Sequence, residues 1–123
     1  MPHSLVVQLH FTRSEFARAL AGLSEADARH RCLPVNSIGW IIGHLASAEQ
    51  TIWLTALQGF TPLPHLNELF GCGQPASTPS LAQVWDTWQT VIQKTDPFLD
   101  TLTTQNLQET CRSCRCEQKG CSL

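Results

Sequence analysis

The sequence has little charge and no surplus of either sign. Only 15% of its 123 residues are charged, and 8 basic residues against 10 acidic ones leave a formal net charge of −2. A protein that tracks nucleic acid or anionic lipid shows a basic stripe, so no nucleic acid and no membrane surface is expected as partner. Long apolar runs are lacking too: none approaches the roughly 18 residues of a membrane span. The N-terminus, MPHSLVVQLHFTRSEF, lacks the basic start and unbroken apolar core of a signal peptide. The chain therefore reads as cytoplasmic, where its 6 cysteines are expected as thiols, metal ligands or incidental residues rather than a disulfide framework. Sustained two-residue alternation is also absent, which leaves no candidate strand. The length suits one small domain and is too short for two independent cores.

What is present is helical periodicity. Leu5, Val6, Leu9, Phe16 and Leu20 recur at three-, four- and seven-residue steps and define a first helix, stopped near Gly22. In the following LSEAD, Ser24 can cap a short turn with Asp27 three residues on. After a connector through Pro34, Asn36 or Ser37 can cap a second helix, whose stripe is Ile38, Ile41, Ile42, Leu45, Ile52 and Ala56. The segment GFTPLPHLNELFGCGQPASTPS holds most of the prolines and glycines, so it is expected as a long loop with one helical turn at HLNELF. Loops of that length often rim a site. Ser80 with Gln83 has the form of a capping box for a third helix carrying Leu81, Val84, Trp85, Trp88, Val91, Ile92, Leu99 and Leu102. Pro97 is expected to kink or restart it, with Asp96 as a new cap.

One pattern occurs twice. Leu20, Leu23, Ser24 and Asp27 align at a constant offset with Leu99, Leu102, Thr103 and Asn106. Helix, capped turn, helix is thus repeated, and by that offset the counterpart of His44 is Leu123. The second helix of the second unit is therefore expected to be short of chain.

Within NSIGWIIGHLASAEQ, His44 stands in an otherwise apolar run. On a helical wheel it lies at the edge of the stripe, roughly 60° from Ile41, with Trp40, Ala48, Thr51 and Thr55 on its side. Large Trp40 beside small neighbours could border a cavity. Glu49 projects near the centre of the Ile38, Leu45, Ile52 stripe, where a carboxylate costs free energy unless paired, and Arg13 or Arg18 of the first helix could pair with it. Periodicity alone does not separate a functional histidine from a boundary residue whose nitrogens are satisfied.

The order L-S-E-A-D, then N-S-I-G-W-I-I-G-H-L-A-S-A-E, resembles the DinB-like superfamily, metal-binding four-helix bundles related to bacterial thiol-dependent transferases. The resemblance runs from about Leu5 to Gln108. It implies a helical bundle in which three histidines bind a divalent metal, zinc or nickel, one from the second helix and two from an H-x-x-x-H in the last. His44 matches the second-helix ligand. Trp40 would line the pocket, and Glu49 would orient the second helix or a group behind the ligands. The implied activity is thiol-dependent transfer or hydrolase-type chemistry, in which the bound cation lowers the pKa of a thiol or water, with a small thiol and a small electrophilic substrate as partners. The sequence departs from the pattern in one respect: H-x-x-x-H does not occur, and the remaining histidines are His3, His10, His30 and His65.

After Glu109 the composition changes. TCRSCRCEQKGCSL has four cysteines, no helical period and almost no large apolar residue. Cys111, Cys114, Cys116 and Cys121 can be read as a small thiolate metal site or buffer, though a zinc ribbon needs a loop between its two pairs. A disordered tail is the second reading. A coding frame lost where the fourth helix should start is the third, and it alone accounts for both the absent helix and the odd composition. The expectation is an all-α, DinB-like up-and-down bundle over residues 1–109, three helices present and the fourth truncated or degenerate, with a Cys-rich tail over 110–123. The alternative to a metal-dependent enzyme impaired by two absent ligands is a non-catalytic helical interaction module, whose uncovered apolar face docks against a second copy, as a homodimer, or against another bundle.

The frame reading is tested on the coding DNA. Translating the two other frames from the Glu109 codon onward is expected to show an amphipathic helical pattern carrying H-x-x-x-H, whose spacing sets two imidazoles on one helical face. Stop codons or low-complexity sequence in both frames would remove that reading.

Overall fold

A computed structural model describes residues 2–113, and among these there are helices and no strand. The elements are α1 (Ser4–Ala19), α2 (Glu25–Arg29), α3 (Ile38–Glu49) continued by a π-helical segment (Gln50–Ala56), α4 (Leu66–Phe70), α5 (Leu81–Leu99) and α6 (Thr104–Ser113). No described helix is long and apolar enough to cross a membrane. Of the two cysteines outside the tail, Cys32 is a free, exposed thiol as expected, whereas Cys72 is disulfide-bonded.

Short polar side chains set the starts of α2, α3 and α6. The Ser24 Oγ accepts from the Asp27 N–H at 3.1 Å to begin α2, and the Thr103 Oγ1 accepts from the Asn106 N–H at 3.2 Å to begin α6. The two halves of the repeated pattern are thus capped alike, each satisfying a backbone donor that the first turn leaves free. For α3 the cap is Ser37, not Asn36: its Oγ accepts from the Trp40 N–H at 3.1 Å and donates to the Ser77 carbonyl at 2.9 Å. The Ser80 capping box does not form. Ser80 occupies the cap position without a side-chain bond, and the Leu81 N–H, another free donor of the first turn, donates to Glu25 Oε2 of α2 at 3.0 Å. Pro97 neither restarts α5 nor makes Asp96 a cap. It sits in the last turn of a continuous helix, where few backbone bonds remain to be lost, and Asp96 faces α1.

The main core joins α3, the π segment, α4 and α5 through Trp40, Ile42, Leu54, Leu66, Phe70 and Val91, with Phe16 of α1 packed against it. Phe16 meets Trp88 edge to face at 5.8 Å and Trp85 at 6.0 Å, which seats α1 on α5. A smaller cluster of Val6, Leu99 and Leu102, joined by Trp53 and Leu107, closes the other end.

The expected stripe of α3 is corrected by this packing. Of its six residues only Ile42 is buried, while Ile41, Leu45 and Ile52 are 36%, 38% and 46% exposed. The buried face is the opposite one: Gly39, Trp40, Gly43, Ala46, Ser47 and Gln50. Small residues there admit close neighbours. A Cβ added at Gly43 would lie 2.7 Å from the Phe70 ring, and one at Gly39 would lie 3.3 Å from the Pro79 carbonyl oxygen. Past Gln50 the π-helical winding also departs from the 3.6-residue period on which the stripe was drawn.

A buried ion pair ties three helices together. The Arg13 guanidinium donates to both carboxylate oxygens of Glu49, at 2.9 and 2.6 Å, and to Asp96 Oδ1 at 2.7 Å. Burial works against its charge and is overcome by Glu49 and then Asp96, so its pKa stands above the ordinary arginine value. Arg18 instead pairs with Glu15 on its own helix. Since the Arg13 and Glu49 side chains are only 8% and 16% exposed, Arg13→Met is expected to cost about 3–5 kcal/mol by leaving Glu49 uncompensated. Urea unfolding followed by circular dichroism measures it, and Arg13→Met with Glu49→Leu should recover part of the loss. A cost under about 1 kcal/mol, the worth of a surface pair, would contradict this role.

Candidate functional site

His44 lies at the end of the second full turn of α3, half-buried, between the glycine face and the exposed aliphatic residues. Its Nδ1 is 2.7 Å from the carbonyl oxygen of Phe70. A carbonyl only accepts, so Nδ1 carries the proton, and in the neutral ring the lone pair is on Nε2. Nε2 has no partner among the described residues. The ring also stacks on Trp40, with centroids 5.0 Å apart and planes 9° from parallel. The imidazole is therefore held by a hydrogen bond at one nitrogen and by a flat indole surface, which leaves a basic nitrogen in a defined orientation. This is the arrangement that prepares a histidine to bind a metal or accept a proton.

The local sequence produces this geometry. Gly43 has no side chain to hold α4 away, so the Phe70 ring closes on the backbone of α3 and the Phe70 carbonyl comes within reach of the next residue, His44. The loop leading into α4 is fastened by Gln50, whose amide nitrogen donates to the Leu63 carbonyl at 2.9 Å while its oxygen accepts from the Leu63 N–H at 3.0 Å. Gln50 is buried, and this two-way bond satisfies both ends of its side chain. Neither Gln50, Gly43 nor Phe70 was singled out as functional from the sequence. The available signal was the Gly-x-x-x-Gly spacing of Gly39 and Gly43, which places two gaps on one helical face.

The other expected site residues separate. Trp40 is a core residue, 6% exposed, and its indole N–H is buried with no acceptor among the described residues. An unsatisfied buried donor costs free energy and is uncommon in a folded protein. Glu49 lies roughly 140° around the helix from His44 and belongs to the Arg13 latch, so it orients α3 from a different side. His3 caps α1 and bonds Thr104, while His10 lies 4.0 and 3.7 Å from Asp96 and Asp100. His30 and His65 are exposed. The Cys111 side chain and Cys114, Cys116 and Cys121 lie outside the described residues. No group of three or more His, Cys, Asp or Glu side chains placed to hold a metal occurs among the described residues. A centre needing three protein donors therefore does not fit them; they supply one oriented nitrogen.

No curated protein and no solved structure matches the chain. A family model described as the DinB superfamily matches residues 8–120, a span that takes in all but the first turn of α1, every later described helix and the whole His44 segment. With an all-helical fold and a match over most of its length, the chain belongs to the DinB superfamily.

Proposed function

We propose that the protein binds a divalent metal through Nε2 of His44, zinc or nickel being the cations best suited to an imidazole nitrogen. The observation that carries this reading is the Nδ1 to Phe70 carbonyl bond, which commits the proton to one nitrogen and leaves the other as a donor. The superfamily supports it. Further donors come from the bound molecule, from the cysteine-rich segment or from a second copy. The finer reading, a thiol-dependent transferase acting on a small electrophile, rests on the superfamily.

A second reading is favoured by the exposed side of α3. Ile41, Leu45 and Ile52 lie in water on one flank of that helix, and a groove of about 300 Å³ between α1 and α3 is lined by Leu9, Phe16, Leu45, Ala48 and Ile52. Adjacent apolar surface of this kind is worth about 25 cal/mol per Å² when covered. A homodimer joined across α3 covers it and needs no metal.

Two measurements test these readings. Protein purified without a metal-binding tag and titrated with zinc by calorimetry is expected to bind, and His44→Ala to weaken that binding at least tenfold with helicity unchanged. Gly43→Ala, which pushes the Phe70 ring and its carbonyl away, should weaken it about tenfold while leaving the imidazole in place. Equal zinc affinity in wild type and His44→Ala would overturn the ligand assignment. For the dimer, sedimentation velocity is expected to show a species of twice the mass that Leu45→Glu converts to monomer; a monomer at every concentration would remove the second reading.

A further inference from the structure

The long loop and α4 enclose a second cavity that has no part in the His44 site. It measures about 520 Å³, within the range of small-molecule pockets, and lies between α4, residues 77–79 and the first turns of α5. Phe70 separates the two places: its ring and neighbouring atoms form part of this wall, while its carbonyl holds His44. The floor is apolar, made by the buried residues Leu66, Phe70 and Val84. The rim is polar, with the hydroxyls of Ser77, Thr78 and Thr87 and the carboxylate of Asp86.

Asp86 decides what the cavity would accept. It is the single charged residue among those lining the cavity. The carboxylates of Glu15, Glu25, Glu49 and Asp96 are each paired with an arginine, whereas that of Asp86 has no ion pair or side-chain hydrogen bond among the described residues. An anion entering here would meet uncompensated negative charge. A cation would find a carboxylate and hydroxyl oxygens able to accept its N–H bonds. We propose that this cavity binds a small primary amine with a compact apolar body, the body on the Leu66, Phe70 and Val84 floor and the ammonium at Asp86. The proposal does not depend on metal binding at His44.

The test uses three probes of one size and different charge: benzylammonium, benzyl alcohol and benzoate, each titrated into the isotope-labelled full chain and followed by amide chemical shifts. Benzylammonium is expected to saturate in the millimolar range, with the largest shifts at Leu66, Phe70, Ser77 and Thr87, and to bind about tenfold more tightly than benzoate. Asp86→Asn, an exposed change that should leave the fold intact, is expected to weaken benzylammonium about threefold and leave benzyl alcohol unaffected. Thr87→Trp, which fills the cavity from α5, should abolish the shifts at Leu66 and Phe70. Benzoate binding as tightly as benzylammonium, an affinity indifferent to Asp86→Asn, shifts located elsewhere, or no saturable shift with any probe would each overturn the assignment.

Discussion

The close seating of the Phe70 ring on the bare backbone of Gly43 is the contact on which most of this structure depends. It requires glycine, because a single added carbon would lie 2.7 Å from the ring. Once α4 is pressed there, the glycine-containing face of α3 becomes the core face and the aliphatic face is left outward. The same approach places a backbone carbonyl beside His44 and fixes which ring nitrogen carries the proton. Packing and site chemistry therefore follow from one steric gap. Interiors are close-packed, and a helix with small residues on one side buries that side when a large ring is available to fill it.

Polar anchors then secure what the apolar contacts assemble. Arg13 holds α1 to α3 and α5 through Glu49 and Asp96, and Gln50 holds the loop before α4 through both polar ends of its amide. Each anchor satisfies its buried groups almost completely, which is the condition under which burying them is tolerable. Trp40 is the exception. Its N–H is buried without an acceptor among the described residues, in the indole on which the His44 ring stacks.

The long loop has two roles with different chemistry on its two sides. Toward α3 it delivers the Phe70 carbonyl, and toward α5 it walls a cavity whose one carboxylate is unpaired. Loops of this length inside a small domain are costly to order unless their own side chains are buried, and Leu66 and Phe70 supply that burial here. The expectation of a site rim from proline and glycine content thus has a physical counterpart, although composition could not say on which side of the loop a site would lie.

Much of this protein was legible in local patterns. Apolar spacing marked α1, α3 and α5, the HLNELF turn marked α4, and Ser24 marked the start of α2. The N-S-I-G-W-I-I-G-H string pointed to the superfamily and to His44. A buried partner for Glu49 was also foreseeable, because a carboxylate within an apolar helix must find a cation. Except for that pairing, whose partner Arg13 lies 36 positions away, these features are set by residues a few positions apart, so the chain alone determined them. Which face of α3 turns inward was a different matter. The large aliphatics Ile41, Leu45 and Ile52 outweigh Gly39, Gly43 and Ala46 on any hydrophobicity count, yet the small residues are buried. Likewise Glu25 of α2 served the first free N–H of α5, and Asp96 served Arg13 rather than capping a restarted helix. In each case the winning partner comes from a distant part of the chain. Only tertiary structure could decide these points, because close packing and charge pairing depend on what is brought near in space, and a helical wheel contains no information about its neighbours.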